Sequence, residues 1–259
     1  MLLEGRVAIV SGAGEGLGRS ICRRFAAEGA RLVVGDLEAD AVEATVAAII
    51  AAGGEAVGQV TDITDRAQCE ALVDLAVQTF GGVHILVNDA YEGGDYQRFE
   101  DADLASWKGT AEVNIWGTLG LTQAALPQLR AAADGRVVMI CTHGVDVIQP
   151  TFGAYTGSKA ALGHLTQVLA AELGSAGIRV NAVYPGPIVG PALLAYLESE
   201  AVRQDIAVEE VHREFAAKNS LNYLLTPDEI AGSVVFFASD LARPVTGQAL
   251  YVNAGESFH

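Results

Sequence analysis

An α/β fold built on a doubly wound parallel sheet is the class this sequence predicts, on three observations. Apolar runs of strand length alternate with longer stretches of helical period along the chain, a pattern that belongs to βαβ units rather than to a sandwich or bundle. The strand-like runs are nearly unbroken in Val, Ile, Leu and Ala, as strands covered on both faces must be. Of the 259 residues, 51% are hydrophobic, enough to cover both faces of such a sheet.

Val7-Ala8-Ile9-Val10 reads as a buried first strand. Ser20 to Glu28 has helical character and stops at Gly29, and Arg31 to Asp36 reads as the second strand. An alanine-rich helix from about Glu38 to Ala52 ends at Gly53-Gly54. Further strands are expected at Ala56–Val60, Ile85–Val87, Val137–Cys141, Ile178–Val183 and Ala249–Val252, about seven in all. Helices at about Arg66–Phe80, Asp103–Ala132, Tyr155–Ala176 and Pro227–Ala238 lie between them, and right-handed crossovers put helices on both faces. Trp107 and Trp116 fall on roughly one side of the second of these helices, as core or subunit-interface residues.

Between Gly186 and Thr226 the alternation stops. Leu193, Leu194, Tyr196, Leu197, Val202, Ile206, Val208, Val211 and Phe215 lie there among charges, which predicts an inserted pair of amphipathic helices at about 187–225. Because the insertion follows the carboxyl end of a strand, where wound sheets bind ligands, it reads as a substrate lid rather than a packed surface excursion. No Pro-, Ser- or charge-rich linker divides the chain, so a single domain over residues 1–259 is expected.

Lys+Arg 16 against Asp+Glu 32 leaves a net charge of −16, which opposes binding to nucleic acid or an anionic bilayer. Cys22, Cys69 and Cys141 are widely spaced, giving neither a disulfide framework nor a metal-binding CxxC and fitting a reducing, cytoplasmic setting. Glu4 and Arg6 interrupt the first apolar residues, and no run reaches the ~18 apolar residues of a membrane span. A soluble protein with no membrane partner is expected.

The segment Ser11-Gly12-Ala13-Gly14-Glu15-Gly16-Leu17-Gly18 follows the first strand and opens a helix. Glycines there permit a tight turn and the close approach of backbone N–H groups and a helix N-terminus to a pyrophosphate. Asp36 stands at the end of the second strand, eighteen positions after Gly18, where a carboxylate accepts both hydroxyls of an adenosine ribose. It would repel a ribose 2′-phosphate, and neither Glu15 nor Leu37 supplies a base to neutralise one. NAD rather than NADP is therefore expected, in a Rossmann-like sheet; the competing role for Asp36 is a cap on the next helix.

Tyr155-Thr156-Gly157-Ser158-Lys159 puts a phenol and an ammonium four positions apart at a helix start, one turn apart on one face. A tyrosine of ordinary pKa, about 10, is too weak a base at neutral pH, and a neighbouring cation favours its phenolate.

Together with the glycine loop, this pair makes the chain resemble the short-chain dehydrogenase/reductase family from about Leu3 to Gly255. The family's TGxxxGxG loop appears as Ser11 to Gly18, its adenine-site Asp as Asp62 beside Ile63, and its NNAG turn as Asn88-Asp89-Ala90-Tyr91. Its active-site Asn is Asn114, its YxxxK pair Tyr155 and Lys159, its PG turn Pro185-Gly186 with Ile188 following, and its closing motif runs from Thr246 to Gly255. The resemblance implies that Tyr155 moves the hydroxyl proton and that Lys159 binds the nicotinamide ribose while depressing the Tyr pKa. It also implies that Thr142 polarises the substrate oxygen and Asn114 holds a proton-relay water. Thr142 departs from the usual Ser; Asp89 and Tyr91 alter the NNAG turn; Gly190 replaces a Thr that often binds the nicotinamide carboxamide.

By the same resemblance the substrate cleft is expected to be lined by Tyr91, Tyr96, His143, Val145, Gln149, Phe152, Tyr184, Leu193, Leu194, Tyr196 and Leu197, with Thr142 at the reacting oxygen. It is apolar and aromatic, and of Arg98, Arg203, Arg213 and Lys218 none is an obligatory anchor for an acid. A neutral secondary alcohol and its ketone are the expected substrate pair, with steroid, cyclic, terpenoid and aryl carbinols all admissible. His143 reads as a pocket-wall residue, and His84, His164, His212 and His259 have no metal-ligand spacing, so no catalytic metal is expected. The resemblance further implies a homo-oligomer, a tetramer; with NAD as the cofactor, oxidation is the expected working direction. Two other functions compete: a 3-oxoacyl-thioester reductase, opposed by Asp36 and the acidic surface, and a non-catalytic dinucleotide sensor, opposed by the intact Asn114, Tyr155 and Lys159.

Overall fold

The computed structural model describes residues 1–14 and 16–258; Glu15, an expected loop contact, and His259 lie outside the described residues. Seven strands, β1 (Val7–Ser11), β2 (Arg31–Asp36), β3 (Glu55–Val60), β4 (Ile85–Asn88), β5 (Arg136–Ile140), β6 (Arg179–Pro185) and β7 (Ala249–Val252), form one sheet. The order is β3-β2-β1-β4-β5-β6-β7, and every neighbouring pair is parallel. The chain winds outward from β1 through β2 to β3, then returns to β4 on the other side of β1. That reversal opens a crevice at the carboxyl ends of β1 and β4.

The unbroken apolar character of the strands has a direct cause. Alternate residues point to opposite faces, and both faces are covered. Ala8, Val10, Leu32 and Val34 pack with Ile21 and Phe25 of α1 (Gly16–Ala27), Ile49 of α2 (Ala39–Ala51) and Ile230 and Val234 of α9 (Pro227–Ala238). Val7, Ile9 and Val33 pack on the other side with Leu72 of α3 (Arg66–Phe80), Leu121 of α5 (Thr118–Ala131) and Leu162 of α6 (Gly153–Leu173).

Helix boundaries follow local chemistry. Asp65 caps α3 by accepting from the amides of Ala67 and Gln68, and the helix stops at Gly81 with φ +88°. Thr226 and Glu229 form a capping box at the start of α9. The helix expected as one element from Asp103 to Ala132 is instead α4 (Leu104–Ala111), a π-helical segment (Glu112–Gly117) and α5. Helix α1 begins at Gly16 rather than Ser20, because the glycines supply the turn and then the first helical residues. The interval after β6 holds α7 (Pro191–Gln204) and α8 (Val208–Ala216), which bury Leu197, Ala201 and Val211 against one another. Trp116 is 60% exposed and so is not a core residue, whereas Trp107 packs against Phe99 and the backbone at Gly153.

Candidate active site

The glycine loop lies over the end of β4. Gly12 and Ala13 donate their amides to the Gly35 carbonyl at 2.9 and 3.2 Å. Gly12 has φ +74°, and a Cβ there would strike the backbone nitrogen of Ala90; one on Gly18 would strike the Gly12 carbonyl oxygen. Only hydrogen fits at either position, which is why the loop is built of glycine. Asp36 meets it from β2, its Oδ2 accepting from the Gly14 amide at 2.8 Å and its Oδ1 from the Glu38 amide at 3.1 Å.

Two residues that the sequence reading missed hold this loop in place. Arg19 donates to the Gly14 carbonyl and, at 3.0 Å, to Thr45 Oγ1, which itself donates to the Ala13 carbonyl at 3.0 Å. The available signal was a polar Thr45 at helical spacing between Val42 and Ile49, on the apolar side of α2.

A cleft of about 560 Å³ runs from Asp36 to the YxxxK pair. Gly12, Gly16, Leu17, Asp36, Leu37, Asp62 and Ile63 line one end; Thr142, Tyr155, Lys159, Pro185, Gly186, Ile188 and Leu193 line the other, with Asp89, Ala90 and Tyr91 along the wall. Asp62 is held by Thr64, whose amide and hydroxyl donate to its Oδ1 at 2.8 and 2.7 Å.

At the reacting end, Tyr155 sits in the first turn of α6 and is hydrogen-bonded to the Thr142 side chain. Thr142 is held in turn by accepting the Gly144 amide at 3.1 Å. Lys159, buried, donates from Nζ to the Ile140 carbonyl at 2.7 Å. Burial pushes the Tyr155 phenol above its ordinary value, with the Thr142 hydrogen bond acting the other way. Burial also pushes Lys159 down.

Asn114, fully buried in the π-helical segment, donates from Nδ2 to Ser158 Oγ and to the Glu92 carbonyl, both at 2.9 Å, and accepts the Glu92 amide at 2.7 Å. It thereby clamps the chain just after Tyr91 against α6. The π turn, a form that recurs at functional sites, is what swings this side chain inward.

Other expected site residues lie elsewhere. Tyr184 is in the core, stacked on Tyr251 with centroids 4.7 Å apart and its hydroxyl packed on Gly163, not on the cleft wall. Leu197 is fully buried in the small core of α7 and α8. Asn88 ties β4 to its neighbours, donating to Thr122 Oγ1 at 3.0 Å and to Met139 Sδ. Ser11 is the buried last residue of β1, and Gly14 meets Asp36 beneath the loop. His143 is buried with Nδ1 3.5 Å from Glu256. Val145 packs on the core, Gln149 is exposed, Phe152 packs against Tyr96 with ring centroids 4.6 Å apart and planes tilted by 46°, and Leu194 is half-buried in α7. Among the described residues, no three His, Cys, Asp or Glu side chains are grouped to hold a metal ion, and no helix is long and apolar enough to cross a membrane.

A family model described as enoyl-(acyl carrier protein) reductase matches residues 12–257. Dehydrogenase/reductase SDR family member 4 of Sus scrofa is 33% identical over 253 residues, covering 98% of this chain and 88% of that protein. The chain belongs to the short-chain dehydrogenase/reductase family. Within that family it is 33% identical to the 7alpha-hydroxysteroid dehydrogenase of Escherichia coli (strain K12) over 253 residues, 98% of this chain and 94% of that one. The crystal structure of carveol dehydrogenase from Mycobacterium avium in complex with NAD superposes with a TM-score of 0.91 at 26% identity, covering 98% of each chain. In this short-chain dehydrogenase/reductase an acid, Asp89, also lines the cleft. Asp89, 8% exposed, accepts the Gly18 amide, and burial pushes its carboxyl up to about 7, opposed by Lys159 and aided by Asp36.

Proposed function

We propose that this enzyme uses NAD to interconvert a neutral, largely apolar secondary alcohol and its ketone. The observation that carries the reading is the single cleft that joins Asp36 and the glycine cradle at one end to Thr142, Tyr155 and Lys159 at the other. The residues present fit a dinucleotide: Gly16 borders the cleft with open space where a Cβ would stand, and Asp36 keeps lone pairs for ribose hydroxyls beside its two amide donors. Its charge disfavours a 2′-phosphate.

When bound, NAD supplies the acceptor for the hydride leaving the carbinol carbon. Thr142 donates a hydrogen bond to the substrate oxygen, and Tyr155 Oη takes the hydroxyl proton as the carbonyl forms. Lys159 keeps two N–H donors beyond the one engaged by Ile140, and these are suited to a ribose hydroxyl. In the reverse direction Tyr155 returns the proton. Helices α7 and α8 act as a lid, with Leu193 facing the cleft. The working unit is a cytoplasmic homo-tetramer. The thioester-reductase alternative is opposed by Asp36 and by the net charge of −16, which would repel an acidic carrier protein.

The test is NADH formation by purified protein across secondary alcohols at mildly alkaline pH, with NADP in parallel. Tyr155→Phe is expected to lower kcat by about a hundredfold or more, the range for loss of a general acid–base, while NAD binding persists. Because the acting base is a phenolate whose pKa burial raises, oxidation should quicken as pH rises through the alkaline range and reduction should slow. A Tyr155→Phe variant with wild-type rate would remove the assignment.

A further inference from the structure

Tyr91 stands where the turn after β4 meets the reacting groups. Its ring centroid is 5.8 Å from that of Tyr155, tilted by 59°, and 5.8 Å from Lys159 Nζ. The ring lines the cleft yet is 62% exposed. Asn114 grips both the amide and the carbonyl of the next residue, Glu92, so the backbone that carries the ring is held in place. The same cleft is lined by the apolar Ile188, Val189 and Leu193.

An aromatic face at a reaction centre offers a substrate an apolar surface to pack on. Flat or ring-shaped molecules gain most from it, because aromatic and alicyclic rings pack on a π face over a broad area in offset or tilted arrangements. An open chain must order several torsions to cover the same area.

We propose that Tyr91 is a specificity-determining residue that selects ring-bearing carbinols, cyclic or aryl, by packing the substrate ring against its own beside Tyr155. The inference rests on the carbinol–ketone reading above and adds the substrate class to it. The family motif has Gly at this position, so the selecting element belongs to this chain's own sequence.

The experiment compares kcat/KM with NAD for 1-phenylethanol, 4-ethylcyclohexanol and 2-octanol, which have equal carbon counts, in wild type, Tyr91→Ala and Tyr91→Phe. Wild type should favour the ring-bearing alcohols, and Tyr91→Ala should lower that preference roughly tenfold, the factor for one lost ring-packing contact. Tyr91→Phe, which keeps the ring, should retain the preference. An unchanged preference in Tyr91→Ala, or an equal loss on all three alcohols, overturns the inference while leaving the carbinol reading intact. No turnover of any of the three by wild type that still binds NAD removes both.

Discussion

At Asp89 a carboxyl group is enclosed between the glycine loop and the end of β4, with Lys159 and Asp36 as its charged neighbours. Its folded value of about 7 lies above the roughly 3.9 of an exposed Asp. The folded state therefore holds this proton more tightly than the unfolded state does. The associated stability is full below about pH 4 and is lost as pH rises to about 7. Asp89→Asn can still accept the Gly18 amide but cannot ionise. Its Tm is expected to exceed that of wild type at pH 8 and to converge with it near pH 4, by at most a few kcal/mol, at ~1.4 per pKa unit. Thermal melts between these limits check it, and a difference independent of pH would refute it. An acid near the cofactor was legible from the Asn88-Asp89-Ala90-Tyr91 turn; its titration range was not, because that depends on how completely α1 and the loop seal it.

Helix α6 shows how an element's partners decide what its residues can be. It places Tyr155, Ser158 and Lys159 on one side, and Gly163 lets the Tyr184 hydroxyl of β6 seat against its backbone. Gly163→Ala gains helix propensity, by about 1 kcal/mol, but overpacks the Tyr184 contact, and overpacking typically costs about 1–3 kcal/mol. The expected result is a net loss in denaturant midpoint, recovered in Gly163→Ala combined with Tyr184→Phe, which removes the obstructing oxygen. A double variant no better than the single would show that the strain lies elsewhere. The YxxxK spacing made the reactive side of this helix readable in the sequence. The π turn at Glu112–Gly117 was not, since one extra residue in a turn hardly disturbs an apolar period, and the bulge shows itself only through Asn114 turning inward and Gly117 packing on Ile63.

At the scale of the whole molecule, the apolar side chains of the described residues divide into two large cores, one on each face of the sheet, and a small third one of Leu197, Ala201 and Val211 within α7 and α8. A separate core makes these helices a candidate for opening independently of the sheet. Leu197→Ala, a fully buried truncation of the kind that costs about 2–5 kcal/mol, should speed amide exchange across residues 191–216 and leave the sheet amides protected. Equal acceleration in β1, β4 and β5 would show that the helix pair and the sheet unfold together.

The α/β class, the seven strands, the glycine loop with Asp36, and the Tyr155–Lys159 pair were all readable from residue order. Each is local: an unbroken apolar run, a cluster that must turn tightly, or two side chains one helical turn apart. Tertiary packing decided that Tyr184 and Leu197 face cores rather than the cleft, that Arg19 and Thr45 hold the loop, and that burial raises the Tyr155 phenol against the Thr142 hydrogen bond. Those outcomes depend on which distant segments close over a residue and exclude its water, and distant closure leaves no periodic mark on a single chain.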